Sequence, residues 1–424
     1  MNLRKDALDA VKKAIDSMLP EAAVKKALSD FRSIGRSGKI VLAAIGKAAW
    51  RMSSAAHQTL GDRVTCGVVI TKDEHSMGPI GNYEIYECAH PVPDNRVINA
   101  AKRMIEAVSG LSSNDCVLFL VSGGGSALFE IPAEGVSLDD VSDITGQLLA
   151  SGADISEINL IRKRLSAVKG GKFAALCAPA KVTSIILSDV LGDKLDAIAS
   201  GPAYHDESGQ DDALRAARKY SLSASPEIFK LLSRPGIGRL ENITSVVAGN
   251  CSSLCGAAEN ILKKMGYNVI TLTTRLSCEA RAAGDVFVCI AKEIFETSRP
   301  ISPPCAVIMG GETVVRIKGS GKGGRNQEMA LAVAIGIEGM SNTVFISVGS
   351  DGTDGPTDAA GGVVDGDTVS RLLASGINPQ SALDNNDSYN ALSASGDIIK
   401  TGPTGTNVND ISILLVSRGV RCGL

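Results

Sequence analysis

The chain has 424 residues, of which 44% are hydrophobic and 21% charged. This length and composition allow two or three domains with buried cores, which excludes a disordered protein or a small disulfide-stapled scaffold. With 43 Lys and Arg against 46 Asp and Glu, the net charge of −3 gives no indication of nucleic-acid binding. Ten cysteines without a CxxC pair predict a cytoplasmic protein with reduced thiols.

The first 19 residues have the pattern of an amphipathic helix, with lysines and acids interspersed among apolar positions. This segment lacks the apolar core of a secretory signal peptide. The longest apolar runs, such as IVLAAIG near residue 40, fall well short of the ~18 residues that a membrane-spanning helix needs. The sequence therefore predicts a soluble protein that is neither exported nor bound to a membrane.

Four apolar runs in the first half predict buried β-strands, at residues 39–46, 65–71, 115–124 and 182–189. Each is followed by a helical pattern, for example KAAWRMSSAAHQTL after the first run. Such alternation is typical of a parallel sheet with helices on both faces. Glycine often follows these strands directly, where it lets the backbone turn tightly beside a ligand.

The second half contains further strand-like runs, at residues 244–249, 268–274, 305–319, 344–351 and 411–418. Within 305–319, the short turn at Gly310, Gly311 and Glu312 separates two apolar segments and predicts an antiparallel hairpin. The second sheet is therefore expected to be mixed. Residues 231–245 contain Pro and Gly and lose periodicity, so a domain boundary is predicted near residue 235.

Two glycine-rich segments are candidates for anion binding. Residues 122–126, SGGGS, join a strand to a helix, a geometry that points backbone N–H groups at an anion; a tight turn without a ligand is the alternative. Residues 319–324 match GxGxxG and carry Lys322 just before Arg325, which suits phosphate or carboxylate better than nicotinamide. An ordinary flexible surface loop explains this second match equally well.

Acidic residues follow two predicted strands. Asp189 and Asp193 follow one strand, and Asp351, Asp354 and Asp358 follow another. Because ligands of open α/β sheets bind beyond the carboxyl ends of strands, these acids are candidates for magnesium binding or for a general base. For Asp354 or Asp358 alone, capping of the local backbone is the favoured explanation.

Basic residues occur at two further positions. Lys47 follows the first strand and can reach a ligand beyond it, whereas the basic run at residues 162–172 is interpreted as a solvated helix face rather than an anion clamp. No GxxxxGK[ST] or GxSxG motif is present, and the four histidines share no motif with a serine or cysteine. Anion-binding turns, strand-end acids and cations together favour phosphoryl transfer over redox chemistry.

Eight segments in chain order resemble the glycerate 2-kinase family with a MOFRL-type C-terminal domain. They are GKAAW, HPVPD, LVSGGGSAL, INLIRKRLSAVKGGKFA, ILSDVLGDKLDAIASGPA, GGETVVRIKGSGKGGRNQE, GSDGTDGPTDAAGG and GPTGTNVNDI. The resemblance runs nearly end to end. One departure is Arg164, where the family often has the histidine of RKHLS, so no histidine chemistry is carried over to this position.

The resemblance implies two three-layer α/β/α domains with the active site in the cleft between them. Residues 1–235 would form a Rossmann-like domain with a largely parallel sheet, and residues 236–424 a MOFRL-type domain with a mixed sheet. The implied activity is ATP-dependent phosphorylation of D-glycerate at its 2-hydroxyl, with Mg²⁺ or another divalent cation, giving 2-phospho-D-glycerate.

Carried over residue by residue, the resemblance implies a catalytic group of Lys47, Asp189, Arg325 and Asp351. Lys47 and Arg325 would neutralise the transferred phosphoryl group or the glycerate carboxylate, and Asp189 would orient or deprotonate the hydroxyl. Asp351 and Asp189 are the expected metal ligands. The expected substrate- and phosphate-binding residues are Ser122, Gly123, Gly124, Gly125, Ser126, Asp193, Gly310, Gly311, Glu312, Lys322 and Asn326.

Two other functions remain open on the sequence. One is an NAD(P)-dependent hydroxypyruvate reductase, for which the GxGxxG segment is poorly placed. The other is a non-catalytic sensor of a sugar acid or nucleotide, which would not require so many ionisable residues at strand ends. A homodimer is compatible with such a chain, although no interface pattern indicates one.

Overall fold

A computed structural model describes residues 2–30 and 38–417. Its helices are α1 (Leu3–Ser17), α2 (Pro20–Asp30), α3 (Ala49–Leu60), α4 (Asn95–Val108), α5 (Gly125–Leu128), α6 (Leu138–Ala150), α7 (Ile155–Leu165), α8 (Lys172–Leu176), α9 (Asp212–Lys219), α10 (Pro226–Leu232), α11 (Cys251–Lys264), α12 (Ala280–Thr297), α13 (Arg325–Gly336), α14 (Thr368–Ala374), α15 (Pro379–Asp384) and α16 (Ser388–Ala394). Its strands are β1 (Ile40–Ile45), β2 (Val64–Lys72), β3 (Glu84–Cys88), β4 (Cys116–Val121), β5 (Lys181–Leu187), β6 (Ile243–Gly249), β7 (Asn268–Leu276), β8 (Cys305–Gly311), β9 (Thr343–Gly349), β10 (Gly361–Asp365), β11 (Ile398–Ile399) and β12 (Asp410–Val416).

The chain forms two compact units. The central unit comprises residues 20–248, and the terminal unit comprises the residues up to 19 together with those from 249 onward. The two units do not coincide with the predicted domains 1–235 and 236–424. Helix α1 was predicted to be part of the first domain but belongs to the terminal unit. Residues 236–248 were predicted to be part of the second domain but belong to the central unit.

The central unit is built on a six-stranded sheet in the order β3-β2-β1-β4-β5-β6. The pairs β1–β2, β1–β4, β2–β3 and β4–β5 are all parallel. In β1, Val41, Ala43 and Ile45 pack into the core on the α4 and α8 side, whereas Ile40, Leu42 and Ala44 pack against α2 and α3. Burial on both faces explains the continuous apolar run, and the Rossmann-like three-layer prediction is confirmed.

Two strands of this sheet differ from the predictions. β3 was not predicted because its side chains at the sheet edge are mostly half-buried, so the sequence shows no continuous apolar run there. β6 was predicted as a strand but assigned to the second sheet, whereas it extends the central sheet beside β5. The segment of irregular pattern before β6 is therefore a loop inside the central unit and not a linker between sheets.

The terminal unit contains the second sheet, in the order β11-β10-β9-β12-β8-β7. Only β7–β8 is parallel among its pairs, and the other neighbours are antiparallel, as expected for a mixed sheet. Helices α1 and α11 cover one face and α12 and α13 the other. This arrangement confirms a second three-layer α/β/α unit.

The hairpin predicted around Gly310–Glu312 is wrong. Strand β8 has β7 on one edge and β12 on the other, so no edge is available for residues 313–319. Instead, the N–H of Glu312 donates to the carbonyl of Leu276 at 2.7 Å and that of Val314 to Cys278 at 3.1 Å. The chain after Gly311 thus continues alongside the end of β7 and does not fold back.

Helix α1 belongs to the terminal unit because its apolar face packs into that unit's core. Ala7, Val11 and Ala14 join the same cluster as side chains of β9 and β12. At the rim, the Tyr267 hydroxyl donates to Asp6 at 2.7 Å and Arg4 pairs with Asp365 at 3.1 Å. The prediction of a helix in this segment is confirmed.

Over the described residues, none of the helices combines the length and apolarity of a membrane span.

Candidate active site

The carboxyl ends of β1, β4 and β5 lie side by side in the central sheet. Ile45 pairs with Val121, and Val121 pairs with Ile186, so the segments that follow these strands leave the same edge of the sheet. Lys47 follows β1, the glycine turn 122–126 follows β4, and Asp189 follows β5. The parallel topology therefore brings three of the sequence-predicted segments together.

Hydrogen bonds fix the position of the turn that carries Lys47. The Lys47 N–H donates to the carbonyl of Gly123 at 2.9 Å, and the N–H of Ala48 donates to the Ser122 hydroxyl at 3.0 Å. Gly46 has φ +112°, and a Cβ there would lie 2.4 Å from the Ser122 hydroxyl oxygen. Only glycine fits at this position, and the Lys47 side chain is left exposed beyond it.

Three ionisable side chains surround the glycine turn. A Cβ on Gly123 would lie 2.3 Å from Oδ2 of Asp189, and a Cβ on Gly124 would lie 2.9 Å from Nε2 of His90 and 3.3 Å from Cγ of Lys47. A side chain larger than that of glycine would therefore clash with these groups at positions 123 and 124. Burial lowers the pKa of the His90 imidazole, and the charge of Lys47 lowers it further. His90 was missed as a site residue, although it begins the HPVPD segment.

At its far end, the glycine turn joins a buried polar network. The hydroxyls of Ser126 and Ser200 are 3.0 Å apart, and Ser200 donates to Oδ1 of Asn159 at 2.9 Å. Nη2 of Arg162 donates to the carbonyl of Ser126 at 3.2 Å. Burial lowers the pKa of the Arg162 guanidinium. Neither Asn159 nor Arg162 was predicted as a ligand-binding residue.

The solvated helix face predicted for residues 162–172 is wrong. Lys163, Arg164 and Lys169 are buried, and Arg164 pairs with Asp206 at 2.7 Å. Lys169 is fully buried and pairs with Glu130 at 2.7 Å. Burial lowers the pKa of Lys169 to about 8, and Glu130 opposes that shift. The carboxylate partners are distant in sequence, so local charge pattern could not identify these pairs.

Asp193 lies in the segment after β5, where its N–H donates to the carbonyl of Val190 at 3.1 Å. Its φ of +52° puts it in the left-handed region, as is common for aspartate in turns. Asp193 is partly buried, like Asp189 before it. Its assignment to the substrate-binding group stays a prediction.

A second group of charged residues lies within the terminal unit. Asp410 begins β12 and pairs in register with Gly311 of β8 and Gly349 of β9. Arg325, the first residue of α13, contacts Asp410 through Nη2 to Oδ1 at 2.9 Å and contacts Glu312 through Nη1 at 3.1 Å. Burial raises the pKa of Asp410 to about 6, against the effect of Arg325. Sequence reasoning missed Asp410, although it falls inside GPTGTNVNDI.

Asp351 lies beside this group. A Cβ on Gly349 would be 3.2 Å from Oδ1 of Asp351 and 3.4 Å from Oδ1 of Asp410, so both carboxylates approach the same glycine. Oδ1 of Asp351 accepts from the N–H of Thr353 at 2.9 Å, which fixes the side chain over its own turn. Arg325 therefore contacts the carboxylates of Glu312 and Asp410, and Asp351 lies close to Asp410 at Gly349.

Asp354 caps α13 rather than its own turn. Its carboxylate accepts from the N–H groups of Asn326 at 3.2 Å and Gln327 at 2.9 Å. Burial raises the pKa of Asp354. Asn326 is fully buried, donates to Asp354 and accepts from the Ser347 hydroxyl at 2.6 Å. These contacts show that Asn326 stabilises the start of α13. They explain its burial without the predicted substrate-binding role.

The segment 319–324 is held by side chains of the connection between α15 and α16 and is not a free loop. Asn386 accepts from the N–H groups of Lys318 and Gly319, and Asp387 accepts from that of Lys322 at 3.0 Å. The ammonium of Lys322 lies 4.4 Å from the ring centroid of Tyr389. The backbone N–H groups of Lys318, Gly319 and Lys322 are thus already used, which leaves fewer donors for an anion in this segment.

Gly310 and Gly311 allow close packing at the end of β8. A Cβ on Gly310 would lie 2.4 Å from Sγ of Cys255, and one on Gly311 would lie 2.1 Å from the carbonyl oxygen of Leu276. These contacts explain why glycine is required at both positions without invoking a ligand.

No group of three or more His, Cys, Asp or Glu side chains is arranged to cage a metal ion anywhere in residues 2–30 and 38–417. A Mg²⁺ ion bound through nucleotide phosphates needs only one or two protein carboxylates. Asp351 and its carboxylate neighbours have the oxygen donors that such an ion prefers. The residues present therefore fit a metal held jointly with a nucleotide.

The fold defines an α/β protein of two three-layer units, each of which carries a group of charged side chains at the ends of its strands. A family model described as a domain of unknown function, DUF4147, matches residues 6–233, and the MOFRL family model matches residues 305–410. The chain is 50% identical over 415 residues to a D-glycerate 2-kinase of Thermotoga maritima, covering 98% of this chain and 99% of that protein.

A crystal structure of glycerate kinase from Thermotoga maritima matches with a TM-score of 0.95 and 50% identity, covering 98% of this chain and 99% of that one. An Agrobacterium vitis protein with the provisional name hydroxypyruvate reductase is 40% identical over 385 residues, covering 89% of this chain and 100% of that protein. The chain belongs to the glycerate 2-kinase family with a MOFRL-type C-terminal region.

Proposed function

We propose that the protein transfers the γ-phosphoryl group of ATP to the 2-hydroxyl of D-glycerate. The observation that carries this proposal is the 50% identity to a D-glycerate 2-kinase over 98% of the chain. The arrangement of Lys47, the glycine turn and Asp189 supports it, because it combines an anion-binding turn, a cation and a possible base. Phosphoryl transfer depends mainly on such positioning and electrostatic stabilisation.

In this proposal the central unit binds the acceptor. Asp189 is held against Gly123 and orients or deprotonates the 2-hydroxyl, while the exposed ammonium of Lys47 neutralises charge on the transferred group. His90 stays neutral because burial and Lys47 disfavour its protonated form, so it can accept or donate a hydrogen bond without adding charge.

The terminal unit binds the nucleotide phosphates. Arg325 is oriented by Asp410 and Glu312, and its guanidinium is suited to phosphate oxygens. Asp351 would hold Mg²⁺, with Asp410 as a neighbouring carboxylate. When bound, the ion neutralises phosphate charge during transfer. The predicted metal role of Asp189 is retained as an alternative to its role as a base.

A coupled assay of ADP formation with D-glycerate, ATP and Mg²⁺ tests the proposal. The product is identified by ³¹P and ¹³C NMR. Glycerate-dependent ADP release with 2-phosphoglycerate as product is the expected result. Formation of the 3-isomer would contradict the placement of the acceptor hydroxyl, and an absence of turnover would contradict the kinase proposal itself.

The role of Asp189 is tested separately. Asp189→Asn should lower kcat by about 10²-fold or more, because it removes a general base, and should leave KM for ATP nearly unchanged. A rise in KM for ATP with normal kcat would assign Asp189 to nucleotide or metal binding instead.

Hydroxypyruvate reduction is the second candidate, favoured by the provisional name of the Agrobacterium relative. The glycine-rich segment 319–324 gives it little support, since the N–H groups of Gly319 and Lys322 are bonded to Asn386 and Asp387. Oxidation of NADH or NADPH on addition of hydroxypyruvate would establish this activity.

A cytoplasmic location is also part of the proposal, in keeping with the free thiols of the described cysteines.

A further inference from the structure

Arg162 is a partly buried cation that forms no ion pair within the part of the chain the structure describes. Its Nη2 is used by the carbonyl of Ser126, but its Nε is buried without a hydrogen-bond partner among the described residues. The Glu130 carboxylate attracts Arg162 but forms its ion pair with Lys169, so desolvation of the Arg162 guanidinium is only partly offset. We therefore expect an anion to bind beside Arg162.

Asn159 supplies a second buried donor without a partner in the described part of the chain, close to Arg162 on α7. Its side chain is on α7 three residues before Arg162, so the two lie on the same helix face. Oδ1 of Asn159 accepts from Ser200, whereas its Nδ2 has no partner among the described residues. Asn159 is only 3% exposed, so exposure to bulk solvent does not satisfy this donor.

The two orphan donors adjoin the glycine turn of the candidate active site. Ser126 contacts both Arg162 and Ser200, and Ser200 contacts Asn159, so the four residues form one connected network. Gly123, which lies against Asp189, is three residues from Ser126, and three residues span at most about 11 Å. The network and Asp189 therefore adjoin opposite ends of one short turn.

The charge of the network suits a monoanion. Lys169 is neutralised by the buried Glu130, which leaves Arg162 as the excess positive charge. A carboxylate can accept from Arg162 Nε and Asn159 Nδ2 together, one oxygen for each donor. We propose that Arg162 and Asn159 bind the carboxylate of the hydroxy-acid acceptor and so select carboxylic acids over neutral polyols. This inference rests on the proposed function, which it deepens.

Asn159→Asp is the sharpest variant because it is isosteric and keeps the oxygen that accepts from Ser200. It replaces the orphan donor by a second anion, which repels a bound carboxylate. Arg162→Gln removes the cation. The matched controls are Ser156→Asp, which adds a charge at an exposed position of the same helix, and Arg215→Gln, which removes an exposed arginine. Thermal unfolding of each variant confirms that it is folded.

We expect both site variants to raise KM for D-glycerate about 10- to 100-fold with KM for ATP nearly unchanged, as for loss of a charged hydrogen bond. The controls should retain wild-type constants. Glyceramide, which carries a neutral amide in place of the carboxylate, should be a poor substrate of the wild type. Asn159→Asp should weaken the preference for glycerate over glyceramide. A purely structural role of Asn159 would not change this preference.

Direct binding of ¹³C-labelled D-glycerate, followed by NMR, separates this inference from the proposed function. Turnover of glycerate by the wild type with unchanged KM in both variants would overturn the subsite and leave the kinase intact. Binding without turnover, lost in Asn159→Asp, would refute the kinase and support the subsite. A rise in KM for ATP alone would overturn the carboxylate assignment, as would absence of glycerate binding to the wild type.

Discussion

Arg325 binds Asp410 through both carboxylate oxygens, with 2.9 Å between Nη2 and Oδ1 and a second contact from Nε to Oδ2. The pair joins the start of α13 to the start of β12. Asp410 is 6% exposed, so the ion pair is largely removed from water. Such a two-point contact fixes the plane of the guanidinium as well as its position.

The activity should depend on the ionisation of Asp410. Burial raises its pKa to about 6, so acidification below that value protonates the carboxylate and releases Arg325. We therefore expect kcat/KM to fall about tenfold per pH unit below pH 6. Asp410→Asn should lower kcat/KM at pH 7 and abolish this acidic limb. A limb of unchanged midpoint in the variant would contradict the assignment.

The contribution of Asp410 to the free energy of unfolding should change with pH in the opposite direction to the activity. Because folding raises the pKa of Asp410 above its ordinary 3.8, the folded state binds the proton more readily. The contribution of Asp410 to stability is therefore most favourable below its unfolded pKa and is lost as the pH rises through about 6. Unfolding curves at pH 5 and 7 distinguish loss of activity from loss of fold.

The glycine at position 123 should be essential for geometry. In Gly123→Ala the new methyl group would lie 2.3 Å from Oδ2 of Asp189, so either the turn or the carboxylate must move. A displacement of this size should reduce kcat/KM about 10²-fold. Steady-state kinetics with D-glycerate measures the effect.

The matched control is Gly146→Ala, in the exposed middle of α6, where a Cβ would meet nothing within 4 Å. It should leave the kinetic constants unchanged and raise the free energy of unfolding by about 0.5–1 kcal/mol, since alanine favours the helix. Normal activity of Gly123→Ala would show that contact with Asp189 is not needed for turnover.

The ion pair between Lys169 and Glu130 should be a major determinant of stability. Lys169→Met leaves Glu130 buried without its partner, and we expect a loss of about 3–5 kcal/mol in the free energy of unfolding. Adding Glu130→Met should recover most of this loss, because Glu130 is then no longer a buried charge without its partner. Urea denaturation of the single and double variants measures both effects.

Lys219→Met provides the comparison for this pair. Lys219 also pairs with a glutamate at 2.7 Å, Glu157, but it is largely exposed. Its loss should have little effect on the urea midpoint, because water replaces the partner. Equal effects of the two lysine substitutions would refute the importance of burial.

The cap of α13 should contribute to stability through Asp354. Asp354→Ala removes the acceptor for the N–H groups of Asn326 and Gln327 and should cost about 1–2 kcal/mol. Asp358→Ala, in the same acidic turn, removes an exposed carboxylate paired with Lys400 and should leave stability essentially unchanged. Chemical denaturation of the two variants tests whether the acids differ as the structure indicates.

Local pattern was sufficient to predict much of the fold. The strands buried on both faces, such as β1, are continuous apolar runs, and the glycine turn after β4 could be read directly from the sequence. The half-buried edge strand β3 lacks that pattern. Turn length predicted a hairpin after β8, but the neighbours of β8 are determined by β7 and β12, which are distant in sequence.

The same limit applies to the sites. Position after a strand identified Lys47, Asp189 and Asp351 as candidates. It could not show that Arg164 and Lys169 are buried, because that depends on Asp206, on Glu130 and on the packing of α7 against other helices. Asn326 was selected through its motif, whereas its contacts with Ser347 and Asp354 became evident only from the three-dimensional structure.

Helix α1 has a consequence for the order in which the protein is made. Its partners, β9 and β12, are synthesised more than 300 residues later, whereas the central unit between them is a continuous segment. The central unit can therefore fold first during translation, with the apolar face of α1 still uncovered. Closing this long loop completes the terminal unit last, so removal of α1 should impair that unit and spare the central one.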